Sequence, residues 1–160
     1  MIDITKGTHV VSFPSRVASV LGQYGHVFNT VVTDTAVDNG ALCAKGAYVH
    51  FDQYEQEALE AADVITGKII DQDANGLWYV EITGITSDKT VLYMYNSAVS
   101  PYSEREFQDE KLFYNKQDDV VQGAMLMVTD VAEYSDEAFE GTPALDTAVT
   151  YNVATNKWTI

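Results

Sequence analysis

VITGKII (residues 64–70) and LWYVEIT (residues 77–83) are two runs rich in β-branched and aromatic residues, and six turn-forming residues separate them. Such a pair of runs predicts an antiparallel β-hairpin. In the second run Trp78, Val80 and Ile82 alternate with more polar neighbours, so one face of the strand is apolar. We therefore expect this hairpin to form the centre of the hydrophobic core. The other core residues predicted with it are Leu92, Phe107, Leu126 and Phe139.

Further short strands are predicted on both sides of the hairpin, because similar runs recur along the chain. They cover residues 9–13, 27–33, 41–44, 47–51, 91–95, 120–128, 148–153 and 157–160. Asp38-Asn39-Gly40 predicts a turn, since Asn and Gly tolerate a positive φ. Lys45-Gly46 is interpreted as a second turn. Gly123, within a strand, predicts a bulge or a close approach of another chain segment.

Helical signals are few and short. Residues 53–62 are rich in helix formers, Ser103-Glu104-Arg105-Glu106 resembles a capping box for a helix that extends to about residue 114, and residues 135–139 predict one helical turn. The predicted fold class is therefore mainly β, as a barrel or sandwich-like body with two or three short helices.

The length of 160 residues and the hydrophobic fraction of 46% predict a single domain, residues 1–160, with a sizeable core. Residues 1–25 show weak periodicity and are interpreted as an N-terminal docking arm, and residues 26–160 as the β body. The first residues show no basic segment followed by an apolar one, and no stretch approaches the roughly 18 apolar residues of a membrane span. We expect a protein that is made and folds in a cytoplasm.

The net charge of −15 is distributed unevenly. Residues 1–50 carry three acids and three bases, whereas residues 51–160 carry 21 acids and six bases. An acidic surface repels phosphate groups and anionic lipid, so we expect neither nucleic acid nor a membrane as a partner. Two interpretations stay open: a face that only keeps the protein in solution, or a neutral third that docks while the acidic remainder faces water.

Signatures of catalysis and of metal binding are lacking in the sequence. It contains no nucleophile elbow, phosphate-binding loop, dinucleotide-binding glycine motif or HExxH motif. Cys43 is the only cysteine and is interpreted as a buried, inert thiol. His9, His26 and His50 are too far apart in sequence for a local metal site. We expect no catalytic residues and no cofactor.

One metal-binding motif is partly present. Asp71, Asp73 and Asn75, followed by Gly76, match the first half of a calcium loop, where oxygen ligands alternate around the cation. Ile82 stands where the bidentate glutamate belongs, and the flanking segments are predicted strands instead of helices. We therefore interpret the residues as a hairpin turn that does not bind calcium.

Aromatic residues could also indicate a carbohydrate-binding face. The residues in question are Trp78, Tyr79, Tyr93, Tyr95 and Trp158. All five fall on predicted strands, where core packing explains them equally well.

Two stretches, taken in order, resemble a known family. The first is Thr33–Gly40 followed by Ala41–Ala44; the second runs from Ala98–Arg105 through Phe113–Asn115 and Val120–Gly123 to Gly141-Thr142-Pro143. They resemble small virion structural proteins of tailed phages of Gram-positive and related bacteria, which accompany the major capsid protein. Gln122 departs from the family pattern, which favours a basic residue there, and Thr129-Asp130 replaces a Gly-Asp pair.

The resemblance implies a non-enzymatic virion protein on the capsid exterior. It would decorate or stabilise the capsid by docking on the major capsid protein or other virion proteins, and we expect a homo-oligomer. The alternatives are a tail, neck or head-fibre component, a small carbohydrate- or calcium-binding β module, and, last, an enzyme.

Overall fold

A computed structural model describes residues 17–18, 27–33, 36–95 and 114–160. Fourteen strands lie in these ranges, four of them only two residues long. They are β1 Val17–Ala18, β2 Val27–Val31, β3 Ala36–Val37, β4 Leu42–His50, β5 Gln53–Glu57, β6 Val64–Gln72, β7 Trp78–Thr86, β8 Val91–Tyr95, β9 Asn115–Lys116, β10 Val120–Met125, β11 Val131–Tyr134, β12 Phe139–Glu140, β13 Ala148–Asn152 and β14 Lys157–Thr159.

The strands form a closed barrel and a seven-stranded sheet. The barrel has the cyclic order β10-β2-β5-β4-β8, in which β2 and β5 run parallel and the other pairs antiparallel. The sheet has the order β1-β11-β7-β6-β13-β14-β12. β3 and β9 make a separate two-stranded ladder. The prediction of a mainly β fold is confirmed.

The predicted hairpin is the central pair of the sheet, β6 with β7. Trp78, Val80 and Ile82 are buried, as their alternation predicted. Leu92, Leu126 and Phe139 are buried as well, while Phe107 lies outside the described residues. The closing hairpin of β13 and β14 also lies where it was predicted.

Barrel and sheet share a core because β8 and the first part of β4 are buried on both faces. Leu92 and Met94 point into the barrel, where they join a cluster with Cys43 and Val121. Val91 and Tyr93, which alternate with them, belong to the larger cluster beneath the sheet. Because successive side chains of a strand point to opposite faces, these strands contribute residues both to the barrel interior and to the core beneath the sheet. The two parts form a single packed unit.

Aromatic ring contacts and a tyrosine hydroxyl stabilise the packing of the barrel against the sheet. Tyr134 lies edge-on to Tyr93, Phe139 and Trp158, with ring centroids 5.9, 6.4 and 5.8 Å apart. Its hydroxyl donates to the Gly40 carbonyl at 3.1 Å. Burial raises the pKa of the Tyr134 hydroxyl far above its ordinary value, so it stays a neutral donor.

The prediction of two or three short helices is wrong for the described residues. Residues 53–62, predicted as a helix, contain strand β5, which pairs with β2 and β4. The Thr33 hydroxyl donates to the Gln56 carbonyl at 2.6 Å, and the buried Gln56 side chain accepts from Thr33 N–H at 3.2 Å. These long-range bonds override helix propensity, which is worth only tenths of a kcal/mol per residue.

The other helical predictions had different outcomes. Residues 136–138 form a single 3₁₀ turn at the predicted place. The helix predicted after Ser103 and the strand predicted at residues 9–13 lie outside the described residues.

The predicted turn at Lys45-Gly46 is also wrong. β4 continues through these residues to His50, with an irregularity in its pairing between Lys45 and Tyr48. A Cβ on Gly46 would lie 2.7 Å from the Glu55 carbonyl oxygen, so the glycine admits a close backbone contact instead of a turn. The turn lies at Phe51-Asp52.

Part of the predicted arm pairs with the body. Val17 and Ala18 are opposite Ala132 and Val131 at the edge of the large sheet. The rest of residues 1–25 lies outside the described residues, so the arm boundary and its docking role stay predictions.

Candidate functional site

The Asp71–Gly76 loop is a hairpin turn closed by its own carboxylate. Asp73 Oδ1 accepts the N–H groups of Asn75 at 2.8 Å and Leu77 at 2.9 Å, and Gly76 has a φ of 85°. This carboxylate oxygen therefore stabilises the turn. In the described part of the chain no group of three or more His, Cys, Asp or Glu side chains is arranged to hold a metal ion.

Cys43 and His50 lie in different environments. The Cys43 thiol is buried inside the barrel, where it accepts a hydrogen bond from Gln56 Nε2 at 3.4 Å. His50 is exposed at the end of β4, and its ring contacts Phe51 with centroids 3.6 Å apart. His9 and His26 lie outside the described residues. The structure brings none of the described residues of these types together.

The aromatic residues that suggested a sugar-binding face are mostly internal. Trp78, Tyr93 and Trp158 are buried, and Tyr79 and Tyr95 are half-buried. Trp78 Nε1 donates to Asp136 Oδ1 at 2.6 Å, which satisfies its polar atom at the edge of the core. The buried rings present no stacking surface to a ligand.

The surface feature that stands out is the outer half of β4. Pairing with β8 covers only Leu42–Ala44 and ends where Lys45 N–H donates to the Thr90 carbonyl at 2.9 Å. Beyond that point, no described strand pairs with this edge of residues 46–50. We call residues 46–50 the free edge. Tyr48 is 59% and Val49 49% exposed.

The free edge carries little of the usual protection of an edge strand. Natural proteins prevent unwanted pairing at such edges with charged side chains, proline or very short strands. Residues 46–50 contain no acid, lysine or proline and form the end of a nine-residue strand. The pairing irregularities on the β5 side are the one protective device present. An uncharged edge of this kind is typical of a surface covered by another chain.

A rigid base supports the free edge. Lys45 Nζ lies 4.6 Å from the centre of the Phe28 ring and 4.3 Å from that of Tyr54. Tyr54 in turn contacts Phe28 and Tyr48 edge-on, with centroids 5.6 and 5.5 Å apart. Cation–π and aromatic contacts of this kind each contribute about 0.5–1.5 kcal/mol. The edge is therefore preformed.

Phe51 forms the tip of the hairpin that follows. Its side chain is 77% exposed, more than any other large apolar side chain described. Phe51 and Asp52 have φ values of 47° and 57°, which are left-handed and strained for residues other than glycine. The two-residue turn holds the phenyl ring away from the body.

A cavity of about 250 Å³ lies beside the start of β8. Its lining is mostly apolar: Ile85, Lys89, Thr90, Val91, Met125, Leu126, Met127 and Val128. One wall is fixed by a strained turn, in which Thr129 has a φ of 80° and donates its N–H to the Ile82 carbonyl at 2.8 Å. The buried Asp130 carboxylate accepts Met127 N–H at 2.8 Å. These two hydrogen bonds fix the turn that forms one wall of the cavity.

The sequence did not predict either feature. The free edge lies in the uncharged run at residues 47–51, and in the sequence that run predicts only an ordinary strand after a turn. The cavity is lined by residues of β7, β8 and β10, which are distant in sequence, so no local sequence pattern indicates it.

Comparison with known proteins adds no relative: no family model, no curated protein and no solved structure matches the chain. Within the described ranges, no helix has the length and apolar character needed to cross a membrane.

Proposed function

We propose that the chain is a non-enzymatic structural protein of a tailed-phage virion, which decorates or stabilises the capsid exterior by docking on the major capsid protein. The free edge is the observation that carries this proposal. It belongs to the neutral third, residues 1–50, and it is an uncharged surface on a protein with a net charge of −15. The resemblance supplies the virion context.

Desolvation favours docking through this surface. Covering Tyr48 and Val49 removes apolar area from water, which stabilises by about 25 cal/mol per Å². Covering the carboxylates of the acidic body would instead cost their hydration. We therefore place the docking surface on the neutral third and the acidic body toward solvent.

Strand addition is the mode of contact that fits the free edge. A strand of the capsid protein would lie beyond Thr90, where no strand in the described part of the chain pairs with β4, and its main chain would pair with residues 46–50. Main-chain pairing involves few ion pairs, so attachment should depend little on moderate salt.

Cosedimentation with capsids that lack this protein tests the proposal. We expect saturable binding of the intact chain. The double variant Ala47→Lys/Val49→Lys should bind with at least tenfold lower affinity. Deletion of residues 2–15 should abolish binding. That deletion preserves the pairing of Val17 and Ala18 with β11. Circular dichroism and melting check that each variant is folded.

Neutralisation of Glu104, Glu106, Asp118 and Asp119 is the matched control, and it should leave binding unchanged. Release by this neutralisation would show that the acidic face docks, and full occupancy of the truncated protein would show that residues 2–15 are not part of the docking surface. Binding only to tails or necks would instead assign the protein to those structures.

A further inference from the structure

We propose that Asn75 is a site of spontaneous covalent modification, at which the asparagine is converted to aspartate and isoaspartate through a succinimide ring formed with Gly76. This reactivity belongs to the hairpin turn and does not depend on capsid docking. The chain contains two Asn-Gly sequences, Asn39-Gly40 and Asn75-Gly76. A glycine after asparagine favours ring closure, because it has no Cβ to hinder the approach of its nitrogen to the side-chain carbonyl.

The reaction consumes water and releases ammonia. The backbone nitrogen of Gly76 attacks Cγ of Asn75, a new C–N bond forms, and the Gly76 N–H proton passes through solvent to the side-chain nitrogen, which leaves as ammonia. Water then opens the ring at one of its two carbonyl carbons. Cleavage between the Gly76 nitrogen and Cγ gives aspartate, whereas cleavage between that nitrogen and the main-chain carbonyl carbon gives isoaspartate.

The Asn75-Gly76 pair lies where this reaction can proceed. Asn75 is exposed, and a Cβ on Gly76 would have its nearest neighbour, Gln72 Nε2, at 3.9 Å, so the glycine is surrounded by open space. The Gly76 N–H donates to the Asp73 carbonyl at 3.1 Å, within the same turn. A bond of this local kind opens at low free energy and leaves the rest of the fold intact.

The Asn39-Gly40 pair has the same sequence in the opposite environment. The Asn39 side chain is fully buried, and its Oδ1 accepts a hydrogen bond from Asn115 Nδ2 at 3.1 Å. The Gly40 N–H donates to the carbonyl of Met94, on strand β8, at 2.8 Å. Ring closure here would require β8 to separate from this segment, so the stability of the barrel protects Asn39.

The Asp73 carboxylate restrains the reaction at Asn75. Its Oδ1 accepts the N–H groups of Asn75 at 2.8 Å and Leu77 at 2.9 Å, which lie on the two sides of Gly76. Ring closure needs rotation about the backbone bonds of Asn75 and loss of the Gly76 bond to the Asp73 carbonyl. The turn must therefore open before the nitrogen can attack, and the strength of the Asp73 bonds sets how often it opens.

The products change the central hairpin of the large sheet. Isoaspartate adds one methylene group to the main chain of the turn between β6 and β7, so the N–H groups can no longer keep their spacing toward Asp73. Both products also place a new carboxylate near Asp71 and Asp73 in a chain whose net charge is already −15. Modification should therefore destabilise the hairpin as the protein ages.

Peptide mass spectrometry tests the inference on the intact chain, which is incubated in buffer over weeks and digested only afterwards. Residues 69–89, released by cleavage after Lys68 and Lys89, contain no asparagine other than Asn75. We expect this peptide to gain the mass of amide-to-acid conversion at least about tenfold faster than Asn39 does. The rate should rise from mildly acidic to mildly alkaline pH, since the attacking nitrogen is deprotonated. In guanidinium chloride the two asparagines should react at similar rates.

Variants of the turn test the restraint. Asp73→Ala should speed the reaction at Asn75 severalfold, whereas Asp73→Asn, the matched control that keeps the acceptor, should change it less than about twofold. The modified fraction, separated by ion exchange, should melt roughly 2–4 °C lower. Equal rates at Asn75 and Asn39 in the folded chain, or no product at Asn75 while the unfolded chain reacts, would overturn the inference. An unchanged rate in Asp73→Ala would refute the restraint.

Discussion

The Leu42 N–H donates a hydrogen bond to the hydroxyl oxygen of Tyr151 at 3.0 Å, which ties the first residue of β4 to strand β13 across 109 residues of sequence. Both groups are buried. Burial raises the pKa of the Tyr151 hydroxyl, so it remains protonated at neutral pH. This bond joins the first strand residue of β4, in the barrel wall, to the large sheet.

Tyr151→Phe should therefore destabilise the fold by about 1–3 kcal/mol, the cost of leaving a buried donor without its acceptor. The midpoint of urea unfolding measures the loss. Tyr79→Phe, which removes the same atom from a half-buried ring of β7, should change stability by less than about 0.5 kcal/mol. Equal effects of the two substitutions would show that the Leu42–Tyr151 bond contributes nothing specific.

Gly123→Ala should destabilise the barrel by about 1–3 kcal/mol through overpacking. A Cβ at this position would lie 2.8 Å from Leu92 Cδ1 and 3.1 Å from Thr30 Oγ1. Denaturant unfolding measures the change. Adding Leu92→Val should recover part of the loss if the clash is the cause; strictly additive losses would contradict it.

Local patterns in the sequence predicted the elements whose neighbours are also near in sequence. The alternation at Trp78, Val80 and Ile82 predicted the β6–β7 hairpin, and Gly123 predicted a close approach, which is now seen with Leu92. Gln56 shows where such patterns fail. Its segment favours a helix, but its bonds to Thr33, 23 residues away, hold it in the barrel.

The candidate site could not be predicted for a related reason. A run of apolar residues in a strand normally indicates burial, so residues 47–51 gave no sign that they would be exposed. Their exposure follows from the point at which β8 begins, at Val91, which leaves the outer half of β4 uncovered. That relationship exists only after the barrel has closed.

Calcium should have no effect on stability. A ligand that binds only the folded state stabilises it by about 2.7 kcal/mol at a hundredfold excess over its Kd. Because we expect the loop not to bind calcium, the Tm should be the same in millimolar calcium and in chelator. Asp73→Ala should lower stability by about 1 kcal/mol through loss of the turn bonds to Asn75 and Leu77. Asp73→Asn keeps the acceptor and should be nearly neutral. A chelator-sensitive Tm that Asp73→Ala abolishes would show a calcium site instead.

Acid should weaken the edge formed by β12, β13 and β14, because the Glu140 carboxylate holds it together. Glu140 accepts hydrogen bonds from the Thr155 and Thr159 hydroxyls at 2.6 and 2.7 Å, and these bonds lower its pKa below the ordinary value. A carboxyl with a lowered folded-state pKa contributes stability above its unfolded-state pKa. That contribution is lost as pH falls through the folded-state value.

Glu140→Gln should therefore lower stability by roughly 1 kcal/mol at pH 7 and have little effect at acid pH, where the native carboxyl is protonated. Melting curves from neutral pH to below the usual pKa of 4.5 give the difference between the two proteins. Asp146→Asn is the matched control, since the Lys68 bond lowers the pKa of Asp146 but the Asp146 side chain is 84% and the Lys68 side chain 45% exposed. Solvent screens that pair, so its removal should change stability little. If the difference in Tm between the native protein and Glu140→Gln stays constant with pH, the size and shape of the Glu140 side chain matter and its charge does not.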